Sequence, residues 1–593
     1  MQRKLIKHLL ALFSTSFLCC ACNEANQSKD ESQTLLIYMC GSDLESKRGY
    51  ASDNIKDILL ANAPKNAKII IETGGSASWR NEAISADKIG RYEVKNGELL
   101  PVENLPQGNM GDGETLLSFL RFAKDKYPAD KTSLILWDHG NGSQGEICYD
   151  ENYGRDPLTL HEIDMALQKA DMTFDFIGFD ACLMATYDVL DVVRGRAAYM
   201  IASEELVPSS GWDYKALIEN LGKEGFYQSV LDSYAEKHNN KTFYTLSAIK
   251  LAGMSEVDRI LTEIIEKLDL DCSILADVLD DTVRFGANET NRYNTNLFDM
   301  GSFATNLGIA YDLSSAIQVK NGSARQDATG LSFFFPANKS YDDQGNNNQE
   351  GYLDICRNKD YAAFLRDYFS WIPDTPIEFA LTGFDNNGQF SFSLKEESLR
   401  YVQSVEYDVH ICPEDLENPD IWEKPMYYIG SSDDVLKQHA LYTVDFSGQW
   451  VYLNDLLLHC DVLEKEEKYT VYFAPVIIKN ENCYLIFTYI PATKKAVIEG
   501  YIDGIENSSR IHPLSYGTEI TVVYELSEKE KTYHKEGTVI YDGTTSISVK
   551  PLPIGQYQCL PRIIDIFGRV YNSDTAVISF DGTNTKVVHI AAG

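Results

Sequence analysis

Between residues 34 and 372, short hydrophobic runs alternate with longer segments whose hydrophobic positions recur every three or four residues. The short runs predict buried strands, and the periodic segments predict amphipathic helices. Regular alternation of this kind is typical of a mostly parallel sheet with helices on both faces, an α/β fold. The predicted strands are TLLIYMCG, AKIIIETGG, TSLILWDHGNG, FDFIGFDACLMAT and AAYMIASEE, with GLSFFFP as a later one.

Four helices are predicted between these strands: YASDNIKDILLAN, GDGETLLSFLRFAKDKYP, TLHEIDMALQKAD and MATYDVLDVVR. In the second helix, Asp112 is the expected N-cap, because its side chain can accept a backbone N–H of the first turn. Pro128 follows the last residues of this helix and predicts its end. The third helix is expected to begin near Thr159.

The pattern changes near residue 373, where WIPDTPIEF brings two prolines close together. Beyond this point, hydrophobic and polar residues alternate in short segments, and turn sequences such as DNNG and YDGTT separate them. A period of two residues indicates strands with one buried face. We therefore expect residues 373–593 to form an all-β region of one or two sandwich-like domains.

Composition places the 593-residue chain among globular proteins of more than one domain, with 44% hydrophobic and 24% charged residues. Lysine and arginine total 53 against 88 acidic residues, a formal charge of −35. Such a surface repels nucleic acid and anionic lipid headgroups, which argues against both as partners. An acidic surface also attracts cations and basic peptides, but solubility is the favoured explanation of the charge.

The first residues have the pattern of a secretory signal, with a basic start and an apolar run from Leu9 to Leu18 that is too short to span a membrane. Cys22 follows the small residue Ala21, and the arrangement resembles a bacterial lipobox. We expect a lipid on Cys22, while Cys19 and Cys20 fit less well. An ordinary cleaved signal is the alternative. The predicted location is the bacterial cell envelope, at the outer membrane or cell surface, or outside the cell.

Nine of the twelve cysteines follow this N-terminal segment, and none of the nine forms a CxxC pair. A structural zinc site is therefore not expected. An odd number of cysteines leaves at least one thiol unpaired, and most are expected to be small buried apolar residues.

Polar residues of catalytic type follow two of the predicted strands. His139 and Gly140 come directly after LILWD, and Cys182 follows FIGFDA. Strands of one parallel sheet end at a common edge, so the two side chains can meet there. A cysteine nucleophile needs a base, and histidine can take and return its proton. The N–H groups of Gly140 and Cys182 can stabilise an oxyanion. Alternatively, each residue alone is explained by packing or by solvent exposure.

These motifs resemble the clostripain family of cysteine peptidases, in the clan that includes caspases, legumain and gingipains. The resemblance covers about residues 33–372 and rests on LLIYMCGSDLE, ETGGSASW, NMGDGETLLSFL, LILWDHGNG, FDFIGFDACLMAT, ASEELVPSSGWDY and GLSFFFP, in family order. It implies a caspase-like fold with His139 as general base and acid, Cys182 as nucleophile, and the Gly140 and Cys182 amides as oxyanion donors.

The resemblance assigns Asp180 to the specificity pocket, where a carboxylate can pair with a substrate Arg or Lys. Capping of the following helix is the alternative role. Relatives often add a second acid after the fifth strand, but Ser209 and Ser210 stand in that loop here. Glu205 or Asp213 can substitute for it, so the choice between Arg and Lys stays open.

Some relatives mature by self-cleavage after the histidine strand, and Arg155 is the basic residue of that loop, EICYDENYGRDPLTL. We take Arg155 as the candidate cleavage site, with an intact chain as the alternative. Calcium promotes the activity of some relatives, so the resemblance allows calcium as a cofactor. The sequence contains no EF-hand loop, and we assign no metal ligand.

The predicted function is an endopeptidase that cleaves proteins or peptides after basic residues, attached to the membrane by its N-terminal lipid and expected to be a monomer. An inactive peptidase-like binding protein and a cysteine hydrolase of another acyl bond are the alternatives. The predicted organisation comprises a lipoprotein signal peptide (1–22), a tether (23–33), a clostripain-like catalytic domain (34–372) and the β-rich region (373–593).

Overall fold

The computed structural model describes residues 31–591, except for 145, 271, 287–295, 337–351, 372, 412–425, 467, 504–509 and 528–531. The predicted signal peptide, including Cys22, lies outside the described residues, as does most of the predicted tether. Among the described residues, no helix has both the length and the apolar character needed to cross a membrane.

The first part of the chain is built around a sheet in the order β12-β10-β9-β8-β5-β1-β2-β3-β4. Strands β9, β8, β5, β1 and β2 are parallel to one another, and the outer strands on both sides are antiparallel. The strands of this part are β1 (Gln33–Cys40), β2 (Ala67–Gly74), β3 (Lys88–Lys95), β4 (Glu98–Pro106), β5 (Lys131–Trp137), β6 (Glu146–Asp150), β7 (Asp156–Thr159), β8 (Phe174–Asp180), β9 (Ala197–Ala202), β10 (Thr245–Lys250), β11 (Leu297–Asp299), β12 (Ile317–Asn321) and β13 (Ser332–Phe334).

Helices cover both faces of this sheet, as the alternation of strands and helices predicts. Leu36 and Tyr38 of β1 belong to one hydrophobic cluster, whereas Leu35 and Ile37 belong to another on the opposite face. The helices are α1 (Tyr50–Leu59), α2 (Gly113–Lys126), α3 (Leu160–Ala170), α4 (Tyr187–Val193), α5 (Tyr214–Glu219), α6 (Phe226–Lys237), α7 (Met254–Leu270), α8 (Leu275–Asp281), α9 (Met300–Asn306), α10 (Tyr352–Ile355) and α11 (Lys359–Ser370).

The predicted helix starts are confirmed by their capping contacts. The Asp112 carboxylate accepts the N–H of Glu114 at 2.8 Å at the start of α2. Thr159 caps α3 through a capping box, in which its side chain and that of Glu162 each bond the other residue's backbone. These contacts satisfy backbone donors that helical hydrogen bonds leave unpaired.

The C-terminal part consists of β-sheets in the described residues, as predicted, and its largest sheet contains 12 strands. The last helix of the first part ends at Ser370, and the next strand begins at Phe379. The C-terminal strands are β14 (Phe379–Asn386), β15 (Gln389–Leu394), β16 (Val402–Ile411), β17 (Tyr427–Ser432), β18 (Val435–Gln438), β19 (Leu441–Val444), β20 (Gln449–Leu453), β21 (Leu456–Leu457), β22 (Asp461–Lys465), β23 (Thr470–Ile478), β24 (Glu481–Ile490), β25 (Lys495–Asp503), β26 (Glu519–Ser527), β27 (Thr532–Ile540), β28 (Ile547–Pro551), β29 (Gly555–Asp565), β30 (Val570–Asn572), β31 (Thr575–Phe580) and β32 (Thr585–Ala591).

The two parts are in direct contact. Arg48, which precedes α1, pairs with Asp503 at the end of β25 at 2.7 Å. Thr242 donates its backbone N–H to Glu499 of β25 at 3.0 Å. Hydrophobic residues of the C-terminal part, including Ile511, extend the main cluster of the first part. The β-rich region is therefore packed directly against the α/β region.

Candidate active site

The register of two parallel strands brings His139 and Cys182 to the same edge of the sheet. Trp137 of β5 is paired with Asp180 of β8 at the ends of these strands. His139 and Cys182 each follow the paired residue by two positions. Because the strands are parallel neighbours, the two segments leave the sheet side by side.

Gly140 joins these two segments through a close approach of their backbones. A Cβ atom built on Gly140 would lie 2.6 Å from the carbonyl oxygen of Cys182 and 2.9 Å from Cβ of Ala181. Only glycine avoids this overlap. The residue after the histidine therefore lies directly against the residue predicted as nucleophile.

Asp43, which follows β1, holds the imidazole of His139. Nε2 of His139 lies 2.9 Å from Oδ1 of Asp43, and both side chains are largely buried. Burial raises the pKa of the Asp43 carboxyl, but the hydrogen bond to His139 and the charges of Arg155 and Lys47 outweigh it, so the pKa lies well below its usual range. Asp43 is therefore a carboxylate at neutral pH, and it fixes one of the two ring nitrogens.

The thiol of Cys182 is fully buried and accepts the backbone N–H of Val207 at 3.2 Å. Burial raises the pKa of this thiol to about 12. In this arrangement Cys182 is a neutral thiol at physiological pH, which is the unreactive form.

Asp180 is engaged by an arginine from the distant C-terminal part. Nη2 of Arg510 lies 3.2 Å from Oδ1 of Asp180, and both side chains have no exposed surface. Nη2 also donates to the backbone oxygens of Asp180 and Asp138, the latter at 2.9 Å. The indole of Trp137 lies beneath the guanidinium, with its ring centre 4.9 Å from Cζ. The arginine thus lies across the ends of both strands that lead to His139 and Cys182.

Asp180 and Arg510 lie in a buried pocket, and the loop between β9 and α5 forms the side of this pocket opposite the arginine. Oδ2 of Asp180 accepts the N–H of Trp212 at 3.2 Å and the hydroxyl of Tyr214 at 3.0 Å. A Cβ atom on Gly211, whose φ is +60°, would lie 2.6 Å from the same oxygen. Asp180 is therefore held in place from one side and presents its second oxygen to the guanidinium.

The other two predicted pocket acids, Glu205 and Asp213, have partners of their own in the structure. Glu205 is buried and pairs with Arg325 at 2.6 Å. Asp213 caps α5 by accepting the N–H of Ala216 at 2.9 Å. Their roles in substrate binding stay predictions.

Ser209 and Ser210, in the loop between β9 and α5, have different contacts. Ser209 contacts the C-terminal part, because its hydroxyl and its N–H both bond the carbonyl of Ile511. Ser210 faces the first part of the chain, and its carbonyl accepts from Asn54 and Lys237.

Arg155 lies in the turn between β6 and β7 and has a φ of +63°. Its Nη1 atom is 3.7 Å from Oδ2 of Asp43, and its side chain is 40% exposed. The predicted cleavage position is therefore accessible and also touches the acid that holds His139. Whether the chain is cut there stays a prediction.

No group of three or more His, Cys, Asp or Glu side chains with the arrangement of a metal site is found among the described residues. Sequence reasoning missed two residues of this site, Asp43 and Arg510. Asp43 stands within the motif LLIYMCGSDLE, so its place after a strand was a usable signal. No local signal marks Arg510, which lies 330 positions from Asp180.

Comparisons with known proteins give one family. A model described as the clostripain family matches residues 37–505 of the chain. Clostripain from Hathewaya histolytica is 28% identical over 238 residues, which make up 34% of this chain and 44% of that protein. The match thus spans less than half the length of this curated relative.

Solved structures with similar chains are also found. A secreted C11 cysteine protease from Bacteroides thetaiotaomicron is 16% identical with a TM-score of 0.41, covering 51% of this chain and 93% of that one. An inactive zymogen C11 protease from Parabacteroides distasonis is 19% identical with a TM-score of 0.38, covering 56% and 97%.

Proposed function

Because this chain belongs to the clostripain family, we propose that it is a cysteine endopeptidase that cleaves peptide bonds after Arg or Lys. Proteins and peptides with accessible basic residues are the substrates. The negative charge of the chain, −35 in total, favours their approach.

In this proposal, Cys182 is the nucleophile and His139 the general base. Asp43 holds Nε2 of His139, so we assign proton exchange with the thiol to Nδ1. The thiolate attacks the scissile carbonyl, and the imidazolium returns the proton to the leaving amine as the acyl-enzyme forms. A water molecule, deprotonated by His139, then releases the acid product and regenerates the thiol. Asp43 stabilises the positive charge that the ring carries during each transfer.

The N–H groups of Gly140 and Cys182 are the proposed donors to the tetrahedral oxyanion. The contact between Gly140 and the Cys182 carbonyl keeps the two amides in one small region. A donor of this type typically contributes about 2.7–4 kcal/mol to transition-state stabilisation.

The observation that carries the proposed specificity is the guanidinium of Arg510 on Asp180. It supports a pocket whose carboxylate, carbonyl oxygens and indole face suit a planar cation. A lysine ammonium can pair with the carboxylate but cannot contact several of these groups in one plane. We therefore propose a preference for Arg over Lys.

The test uses fluorogenic peptides that differ only in carrying Arg, Lys or Gln before the leaving group. We expect cleavage in the order Arg, Lys, Gln, and no cleavage by Cys182→Ala. Gln, which is polar but uncharged, is the control for the substrate charge. Equal cleavage of all three peptides, or activity that persists in Cys182→Ala, would contradict the proposal.

We also propose that the protein acts at the cell envelope, anchored through a lipid on Cys22. The basic start, the short apolar run and the small residue before Cys22 support this. Cys22→Ser should move the protein from the detergent phase to the aqueous phase in Triton X-114 partitioning. An unchanged distribution would rule out this anchor.

A further inference from the structure

We propose that residues Arg510–His512, here termed the strap, are an internal inhibitor that fills the arginine pocket of the active site. The strap belongs to the C-terminal part and follows β25. This inference rests on the proposed function, because it takes the pocket around Asp180 to be the place where a substrate arginine binds.

The side chain of Arg510 provides the first attachment. Its guanidinium is completely buried, pairs with Asp180 and bonds the carbonyl of Asp138. A substrate arginine that used Asp180 would need the same space and the same oxygens. Binding of the strap and binding of such a substrate therefore exclude each other.

The backbone of Ile511 provides the second attachment. It donates its N–H to the carbonyl of Val207 at 3.2 Å and accepts the N–H of Ser209 at 2.8 Å. The segment thus pairs with residues 207–209 in parallel, as a short added strand. Addition of an extended peptide to an exposed backbone edge is a common mode of peptide recognition.

His512 provides the third attachment. Its Nδ1 atom lies 2.7 Å from the hydroxyl of Ser209 and 3.2 Å from that of Tyr50. Its Nε2 atom is 3.3 Å from Asp503, the same acid that Arg48 binds. These contacts attach the strap to the C-terminal part on one side and to the α/β part on the other.

The choice of an arginine argues against a role in packing alone. A buried ion pair contributes little net stability, since desolvation offsets most of its attraction, and apolar residues of similar size often serve as well. Nη1 of Arg510 also has no hydrogen-bond partner among the described residues. The pocket thus holds a cation without satisfying it fully, which suits an occupant that is exchanged for another.

The state of Cys182 agrees with inhibition. With the strap in place, the thiol has no exposed surface and lies against the N–H of Val207, the residue whose carbonyl holds Ile511. Only molecules whose strap has left the pocket can bind a substrate arginine. The apparent affinity for substrate is therefore the intrinsic affinity multiplied by the fraction of molecules with an empty pocket.

The test measures how fast a peptidyl-arginyl fluoromethyl ketone alkylates Cys182 in the full-length chain. Arg510→Ala removes the occupant, and we expect labelling to accelerate by at least about tenfold over wild type. Arg48→Ala is the control. It removes the ion pair with Asp503, the acid that His512 of the strap also contacts, but it leaves Arg510 in the pocket. Its effect on labelling should be much smaller. Equal labelling of wild type and Arg510→Ala, or equal acceleration by Arg48→Ala, would overturn the inhibitory role of the arginine.

A conservative variant and a peptide provide a second measurement. Arg510→Lys keeps a buried positive charge but loses the planar fork, so it should fold and label at an intermediate rate. The peptide acetyl-RIHPLSY, which copies residues 510–516, should slow labelling of Arg510→Lys, while the peptide with Ala in place of its Arg should not. A wild-type rate for Arg510→Lys, or no difference between the two peptides, would overturn the proposal.

These outcomes separate the two proposals. If neither variant nor wild type is labelled at Cys182 by the arginyl probe, the peptidase assignment fails. If wild type is labelled as fast as both variants, the peptidase assignment stands and the strap is not an inhibitor.

Discussion

The carboxylate of Asp43 lies 2.9 Å from Nε2 of His139, although the two residues are 96 positions apart in the chain. They meet because β1 and β5 are parallel neighbours that end at the same edge of the sheet. The contact fixes the orientation of the ring relative to the segment that carries Cys182. Asp43 is therefore a positioning residue for the proposed base.

Replacing Asp43 with Asn should lower kcat by about 10- to 100-fold, less than the full contribution of a general base, which reaches about 10²–10⁴. The amide keeps the size of the side chain but cannot stabilise the imidazolium. The acid limb of the pH–rate profile should therefore move to lower pH. Asp53→Asn, at an exposed site in α1, is the control. An unchanged profile in Asp43→Asn would show that the contact is only structural.

Replacing Asp180 with Asn should reduce kcat/KM for arginine peptides by at least about 30-fold, since removing one partner of a buried charge pair costs about 2–5 kcal/mol. The loss should be much smaller for the Gln peptide, so specificity falls with activity. Asp213→Asn is a matched control, because asparagine also caps helices well. A larger loss of arginine preference in Asp213→Asn would move the specificity role to that residue.

Adding a methyl group at Gly140 should destabilise the site. The new Cβ would overlap the Cys182 carbonyl at 2.6 Å, and relief of such crowding typically costs about 1–3 kcal/mol. Gly140→Ala should therefore unfold at lower urea concentration and lose labelling of Cys182. Gly543→Ala is the control, since its Cβ would meet only the Tyr516 hydroxyl, at 3.7 Å. Equal unfolding midpoints for both variants would show that the two segments move apart without cost.

Stability should decrease in acid partly through Asp503. Burial raises the pKa of this carboxyl, but the hydrogen bonds and charges of His512 and Arg48 outweigh it, so the pKa lies below its usual range; the thiol of Cys483 also faces it. A depressed pKa means that this stabilisation is complete above the unfolded value of about 3.9 and is lost as pH falls below it.

The measurement is the melting temperature at pH 7 and pH 3. Wild type should lose more than Asp503→Asn over this interval, because the amide has no charge to lose. An equal loss in both proteins would show that other carboxylates account for the acid sensitivity.

The central architecture was predictable because local patterns report it directly. Buried parallel strands are uniformly hydrophobic, so β1, β2, β5, β8 and β9 stand out from the sequence. The outer strands β3, β4 and β12 carry many polar residues, and the pattern does not separate them from loops. GLSFFFP does contain the strand β13, but it pairs with β11 outside the central sheet.

The common edge of His139 and Cys182 was predictable because parallel register follows from strand order. It was not possible to predict which side chains from other parts of the chain reach this edge. Asp43 arrives through strand pairing, and Arg510 arrives only after two regions of the chain pack together. The ion pair between Glu205 and Arg325 was not predictable either, because the two residues are 120 positions apart in the chain.

The distance in sequence between Arg510 and Asp180, 330 residues, has a consequence for synthesis. A ribosome completes the α/β region well before residue 510 leaves the exit tunnel, and N-terminal domains generally fold first. The nascent chain therefore passes through an interval in which the pocket around Asp180 is formed but the strap is not yet in place. Export that begins before translation ends would keep the uninhibited chain away from cytoplasmic proteins that it could cleave.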